Sequence, residues 1–511
     1  MLSKIKSCSI NGLQASSIEV EVDLANGLPA INIVGLADVE VKESKERVRA
    51  AINNSNLDFP LKRITVNLAP ADTKKEGTHY DLPIALGILA ASGQLKENFD
   101  PSKYILLGEL SLDGKINKVN GVLPMLIEMY NRGAKKVILP KDNLPESKYA
   151  IGMECIGVQY LHELVEFING SIFIDSQIGE ESNIEEDNIV DLDFRDISGQ
   201  ENLKRAMEIT AAGNHNLLMI GPPGSGKTMA ARRLPSILPK MTFKEAIEVS
   251  KIYSVAGLLN TKEGLIKQRP FRSPHHTISN IALTGGGRIP RPGEVSLSHY
   301  GVLFLDELPE FNKVALEVLR QPLEDGEISI SRVNASYSFP SKFMLVASMN
   351  PCPCGFYGTK TEQQCICAPQ QVKRYMGKIS GPLLDRIDIV VETAAVAYSD
   401  LVNRRKVEDS KTIRKRVEKA RELQRKRYLG TEIFNNSQLT PSAIKKYCKI
   451  EINAQAILEA AFNKMKLSAR GYNRIIKVSR TIADLEGCET INQQHISEAL
   501  QYRNASHLFK Y

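Results

Sequence analysis

Apolar and polar positions alternate in short stretches near the start of the chain. Ile18, Val20, Val22 and Leu24 recur every second residue, as do Ile64, Val66 and Leu68, the spacing of a strand with one buried face. Tyr104 to Leu112 reads as a further strand, and segments 39–53 and 81–91 read as helices. The pattern breaks in GEESNIEEDNIVDLD, Gly179 to Asp193, which is acidic and poor in aromatics and predicts a solvated linker. From Ile197 to about Thr393 come apolar runs of buried-strand type followed by glycine-rich turns. From Tyr398 onward the pattern is helical, with Thr440-Pro441 marking a helix start. There are no internal repeats and no long low-complexity tract.

Length and composition narrow the class. The 511 residues suggest about three domains. Hydrophobic residues at 42% and charged residues at 24% exclude a wholly disordered chain. The opening residues lack the apolar core of a secretory signal, and the longest apolar run, Leu82 to Ala91, is half a membrane span. The expectation is a cytoplasmic protein without a membrane partner. The net charge of +7 means little over this length. Its location matters more, because Asn403 to Tyr428 holds twelve Lys/Arg against four Asp/Glu. That run reads as one long helix. It is either a solvated face or a surface for DNA phosphates, with Arg414, Lys415 and Arg416 as the residues to test.

Three apolar runs end in candidate chemistry. Leu217 to Ile220 leads into Gly221-Pro222-Pro223-Gly224-Ser225-Gly226-Lys227-Thr228 and then a helical segment. This is a phosphate-binding loop in its strand–loop–helix setting. Backbone N–H groups curl around phosphates, Lys227 reaches the β/γ-phosphates of ATP, and the Thr228 hydroxyl ligates Mg²⁺. Val302 to Leu305 delivers Asp306 and Glu307, where a metal partner and a water-polarising carboxylate belong. Phe343 to Met349 ends in Asn350, an amide placed to orient water or sense the γ-phosphate. Cys352, Cys354, Cys365 and Cys367 suit a structural zinc ion, although one residue within each pair is tighter spacing than zinc knuckles usually show. Free thiols are the other reading. His275 and His276 read as polar-loop residues rather than ligands.

These phrases, with Ser380-Gly381-Pro382-Leu383-Leu384-Asp385-Arg386-Ile387-Asp388, resemble an AAA+ ATPase of the magnesium-chelatase and MCM branch. FRSPHHTISNIALTGGG, PRPGEVSLSHYGVLFLDELPEF and NPCPCG extend the resemblance to the ComM/YifB family, magnesium-chelatase-like bacterial proteins linked to DNA branch migration and natural transformation. The likeness implies a multi-domain α/β chain. Residues 1–172 would form a ribosomal-S5-like, Lon-protease-like α+β domain and 173–196 an acidic linker. An AAA+ core at 197–396 would carry a Cys-rich insert at 350–370, and a helical lid would fill 397–511. It also implies that Arg386 is an arginine finger given to a neighbouring subunit, hence a homo-oligomeric ring, expected to be a hexamer. Arg470 matches the second sensor on the lid, with Arg474 and Arg480 as alternatives. The strand ending in Arg332 matches a pore hairpin touching DNA. In the Lon-like part, Ile84 and Leu123 stand where serine and lysine would, so no protease activity follows. Thr78, Ser111 and Lys118 lie nearby without the spacing of a catalytic pair. The implied function is an ATP-driven motor on branched or single-stranded DNA, a branch-migration helicase. The competing readings are a metal-insertion or protein-remodelling motor and a DNA scaffold without activity.

Overall fold

The computed structural model describes residues 2–96, 99–181, 192–260, 262–287, 290–331, 336–359, 363–395 and 408–504. The N-terminal part is one eight-stranded sheet. Its spatial order is Ser176–Ile178, Glu154–Val158, Lys136–Pro140, Tyr104–Leu106, Leu2–Asn11, Gln14–Ala25, Arg63–Ala69 and Ala30–Val34. The two-residue alternation holds: Ile18, Val20, Val22, Ile64, Val66 and Leu68 are all fully buried. They face the helices Val39–Asn54 and Asp81–Ala91, while Val122–Asn131 covers the other face. The Val39 helix starts where Asp38 accepts the Val41 N–H at 2.9 Å, an ordinary N-cap. Asp81–Ala91 is apolar all round and correspondingly buried on nearly every side.

Two expectations fail here. Tyr104 to Leu112 is not one strand. It leaves the sheet after Leu106, and Glu109–Leu110 pairs instead with Ile116–Asn117 in a separate ribbon. The exit is drawn by the helix at 81, because Gly108 accepts the Leu82 N–H and donates to His79 O. The acidic stretch is also less of a linker than its composition suggests. Ser176–Ile178 is an edge strand of the N-terminal sheet, beyond residue 172. Phe194 is fully buried, and the Asp193 carboxylate accepts the Ser410 N–H at 3.0 Å. Residues 182–191 of the stretch lie outside the described residues.

The second sheet is all parallel, in the order Phe271–Arg272, Val302–Leu305, Met344–Met349, Leu217–Ile220, Leu217's other neighbour being Ile389–Glu392. Its three central strands are buried on both faces, as parallel strands covered by helices are. Every candidate residue from the three apolar runs follows the C-terminal end of its strand, where open α/β sheets bind ligands.

Beyond residue 408 the described chain is helical: Ser410–Arg427, Pro441–Tyr447, Ile452–Met465, Ala469–Glu486 and Gln493–Asn504. Asp409 caps the first, accepting from Thr412 N at 2.8 Å, so the helix begins at 410 rather than 403, and 396–407 lie outside the described residues. Thr440 caps the second as expected, with Pro441 at its first position. Ile413, Val417 and Ala420 join the core that also holds Leu203, Met207 and Leu217. The helical region is thereby fixed to one side of the parallel sheet. The architecture is mixed α/β, with a parallel sheet and a C-terminal helical region.

Candidate active site

Four strand ends converge around Lys227. Its Nζ donates to Gly221 O at 2.8 Å, Pro222 O at 2.9 Å and the Asn350 amide oxygen at 3.3 Å. These contacts join the ends of two adjacent parallel strands. Burial pulls the ammonium below its ordinary value, while Asp306 and Glu307 pull the other way. Gly221 has a steric reason to be glycine: a Cβ there would lie 2.0 Å from Thr393 Oγ1 and 2.5 Å from Thr393 O. That threonine follows the neighbouring strand and meets Ser225 Oγ at 2.9 Å.

Thr228 Oγ1 donates to Asp306 Oδ2 at 2.7 Å. The hydroxyl and the carboxylate are oxygen donors set side by side, as Mg²⁺ requires. Ser348 holds the other carboxylate oxygen by a hydrogen bond, and the Glu307 N–H donates to the same oxygen at 3.1 Å. Glu307 has left-handed backbone (φ 53°) and a side chain 58% exposed, so its carboxylate stands clear of the strand. Its nearest basic neighbour is His276, Nδ1 to Oε2 3.9 Å, which is beyond hydrogen-bond reach. His276 stacks on His275, whose Nδ1 meets Thr277 Oγ1 at 2.9 Å. His275 is thus the polar-loop residue expected, whereas His276 faces the site. Sequence reasoning set His276 aside as a polar-loop residue and missed Ser348. The strand before His276 is only two residues long, too short to show a period. Ser348 left one signal, a lone hydroxyl in an otherwise apolar run.

Arg386 and Arg470 lie elsewhere. Arg386 precedes the strand Ile389–Glu392, whose first residue pairs with Leu217 and whose last pairs with Ile220. It therefore sits at the N-terminal edge of the sheet, about 13 Å of strand away from the phosphate loop. Its guanidinium donates to Pro382 O at 2.8 Å, Arg320 O at 3.1 Å and the Glu324 carboxylate. The simple alternative, pairing with Asp385 or Asp388, does not occur, since those acids face Arg474 at 3.9 and 3.7 Å. Arg386, Arg470, Arg474, Lys477, Asp385 and Glu324 line one cavity of about 550 Å³, and no phosphate-loop residue lines it. Arg480 is fully buried, bound to Asp484 and to the carbonyls of Cys488 and Glu489, so it serves the fold of the lid and not a nucleotide.

The basic run is partly consumed within the fold. Arg416 bridges Glu208 at 2.5 Å and Glu408 at 2.7 Å, and Arg414 Nε donates to Ser236 O at 2.9 Å. Arg416 therefore ties two helices together, with its side chain 37% exposed. Lys415 is exposed, in line with exposed Lys411 and Lys419 at helical spacing. Arg332 lies outside the described residues.

The four cysteines converge. Cys352 Sγ lies 3.3 Å from Cys354 Sγ and 3.7 Å from Cys365 Sγ, Cys354 is 3.5 Å from Cys365, and all four sulfurs lie within 4.8 Å of one another. Sulfurs bound tetrahedrally to zinc at ~2.3 Å would be ~3.8 Å apart. The Tyr357 N–H donates to Cys352 Sγ at 3.3 Å. The set fits a closed, four-sulfur metal site. A second cluster, Glu486, Cys488 and His495, does not. His495 Nδ1 accepts the Asn492 N–H at 3.1 Å, which puts the ring proton on Nε2, donated to Glu486 at 3.0 Å.

Residues 193–401 match the family described as magnesium chelatase, subunit ChlI, and 407–503 match its C-terminal part. Residues 20–143 match a further ChlI family of Mg-chelatase. Competence protein ComM of Haemophilus influenzae is 46% identical over 496 residues, 96% of this chain and 95% of that protein. YifB of Escherichia coli is 42% identical over 494 residues, with the same coverage. The chain belongs to the ComM/YifB family. Likeness to magnesium chelatase itself is weaker. The 38 kDa subunit of Rhodobacter capsulatus is 25% identical over 322 residues, 59% of this chain and 84% of that subunit. Members of this magnesium-chelatase-like AAA+ group are ATPases, and the donors around Lys227, Thr228 and Asp306 suit ATP with Mg²⁺. Among the described residues no helix is long and apolar enough to cross a membrane.

Proposed function

We propose that this protein is a ring-forming AAA+ motor that hydrolyses ATP to act on DNA, driving branch migration in recombination and natural transformation. One observation carries the ring: Arg386 and Arg470 stand at the opposite end of the sheet from their own phosphate loop, beside a shared cavity. A finger there can reach only another subunit's ATP. In that arrangement Lys227 and the loop N–H groups hold the phosphates. Thr228 and Asp306, the latter fixed by Ser348, hold Mg²⁺, which neutralises developing phosphate charge when bound. Glu307 polarises the attacking water, Asn350 orients it, and Arg386 meets the γ-phosphoryl from the neighbour. The lid adds Arg470, which is exposed, and Arg474, whose Nη1 is buried without a hydrogen-bond partner among the described residues.

The DNA reading is supported by the near-complete coverage of a relative named for competence and by the exposed stripe Lys411, Lys415 and Lys419. Evenly spaced lysines on a helix suit phosphate contacts that ignore sequence. The metal-insertion alternative rests on a weaker, partial likeness. We read the N-terminal sheet as an inactive Lon-like domain. Ile84 and Leu123 are fully buried apolar side chains, so neither of these two positions offers a nucleophile or a base. We also read the four cysteines as a structural zinc site. Stimulation of ATPase by DNA tests the function: junctions should stimulate more than linear duplex, and indifference to all DNA would favour a protein-remodelling motor.

A further inference from the structure

We infer that the four-cysteine loop is a working part of the nucleotide site: its metal holds a wall against the phosphate loop, so metal occupancy sets ATP affinity. This rests on the zinc reading above. The connection is short. Asn350, which receives Lys227 Nζ at 3.3 Å, is followed two residues later by Cys352. Cys352 is fully buried in the core that also holds Ile220, Leu305 and Met349, the last residues of three site strands. The chain then turns around the Cys352 sulfur. Gly355 N donates to Cys352 O at 3.0 Å, and Tyr357 N donates to the sulfur itself.

That turn lays Gly355 on the phosphate loop. A Cβ at Gly355 would lie 2.5 Å from Pro223 Cδ and 2.8 Å from Pro223 Cγ, so the glycine backbone rests directly on the proline ring. Gly355 also has φ +90°, a conformation that disfavours any side chain. Pro223 is the third residue of the loop whose N–H groups must be presented to phosphates. The turn at Cys352 sets the backbone that needs glycine, and the same residue brings that turn onto the proline ring.

The metal decides whether the wall stands. The arms 350–359 and 363–368 meet at sulfur, Cys354 to Cys365 at 3.5 Å and Cys352 to Cys365 at 3.7 Å. With zinc, four Zn–S bonds lock the turn to the buried Cys352 and to the strand that carries Asn350. Without it, the arms are joined only by thiol contacts and weak N–H···S hydrogen bonds, Ile366 to Cys354 and Cys354 to Cys367, and the turn beneath Pro223 is held less firmly. A phosphate loop that must be ordered by its ligand binds that ligand more weakly. Metal loss should therefore raise the Kd for ATP about tenfold, with the parallel sheet intact.

The test uses the full chain, purified without a His-tag. Zinc per chain is measured by elemental analysis, and affinity with a fluorescent ATP analogue in the presence of Mg²⁺. Fold is followed by circular dichroism, and Lys227→Ala sets the background. Two perturbations are compared. Stripping the metal from wild-type protein and restoring zinc should weaken binding about tenfold and then recover it. Gly355→Ala keeps all four cysteines, so it should retain zinc yet weaken binding, because its Cβ displaces Pro223. Zinc-loaded protein whose affinity survives both perturbations would overturn the inference and leave the zinc reading standing. Wild-type protein containing far less than one zinc per chain would overturn both. If stripped protein unfolds, Gly355→Ala decides alone: unchanged affinity in zinc-loaded variant overturns the wall.

Discussion

Replacing Arg386 by alanine probes the subunit interface. A well-placed finger contributes roughly 4–7 kcal/mol to phosphoryl transfer, or about 10³–10⁵ in kcat. Within its own chain the guanidinium is held by two carbonyls, at 2.8 and 3.1 Å, and by Glu324, whose side chain is 57% exposed. Arg386 itself is only 15% exposed, so turning to a phosphate exchanges this ion pair and two hydrogen bonds for charge-assisted contacts to phosphate oxygens. Arg386→Ala should then lower kcat by about 10³ or more with ATP affinity nearly unchanged, while Glu324→Gln should change kcat by no more than about fivefold. Mixing gives the decisive assay. In equal, random mixtures of Arg386→Ala and Lys227→Ala subunits, about a quarter of head-to-tail interfaces pair an intact loop with an intact finger. The mixture should recover about a quarter of wild-type ATPase, where each protein alone has almost none. Mixed rings that form, by native mass spectrometry, and yet never exceed the unmixed proteins would refute the trans assignment.

Four further outcomes follow from the same geometry. Glu307→Gln keeps shape but loses the base, so nucleotide binding and assembly should persist while turnover falls about 10²–10⁴-fold; near-normal turnover would remove Glu307 from its role. Arg416→Gln should lower stability to urea by about 1–3 kcal/mol, because Glu208 is buried and keeps only Arg205, with little effect on DNA affinity. Lys415→Gln should do the reverse, weakening DNA binding alike across sequences and flattening its salt dependence. Asp388 adds a pH signature. Burial pushes its carboxyl up, but His215, Arg474 and Lys477 hold it down at about 2. Its contribution, about 2 kcal/mol, is fully present above the ordinary value near 3.8 and is lost as pH falls through about 2. Asp388→Asn should thus destabilise at pH 7 and converge on wild type in acid; a gap unchanged down to pH 2.5 would contradict this.

Much of the site was legible because the sheet is parallel. Each strand is a short apolar run, and each candidate residue follows its end, so Lys227, Asp306, Glu307 and Asn350 could be found from one rule. Alternation likewise exposed the N-terminal strands, since one-sided burial imposes a period of two. What stayed hidden depended on tertiary context. Arg414, Lys415 and Arg416 are equivalent as a charge run, and only docking on the helix Glu201–Gly213 separates Arg416, bound to Glu208, from exposed Lys415. Acidic composition concealed the strand at Ser176 and buried Phe194, because a few apolar residues in a polar stretch carry no readable period. The packing of Gly355 on Pro223 joins residues 132 apart, which no local pattern reports.

The central claim is that ATP hydrolysis at this site moves DNA. The most direct measurement follows a synthetic four-way junction and a three-stranded intermediate as purified wild-type protein, ATP and Mg²⁺ are added, with Lys227→Ala as control. The account predicts ATP-dependent dissociation by branch movement, independent of base composition, sensitive to salt, absent in Lys227→Ala and accompanied by junction-stimulated ATPase. Robust ATP hydrolysis without movement of any branched substrate, and at a rate indifferent to DNA, would contradict it.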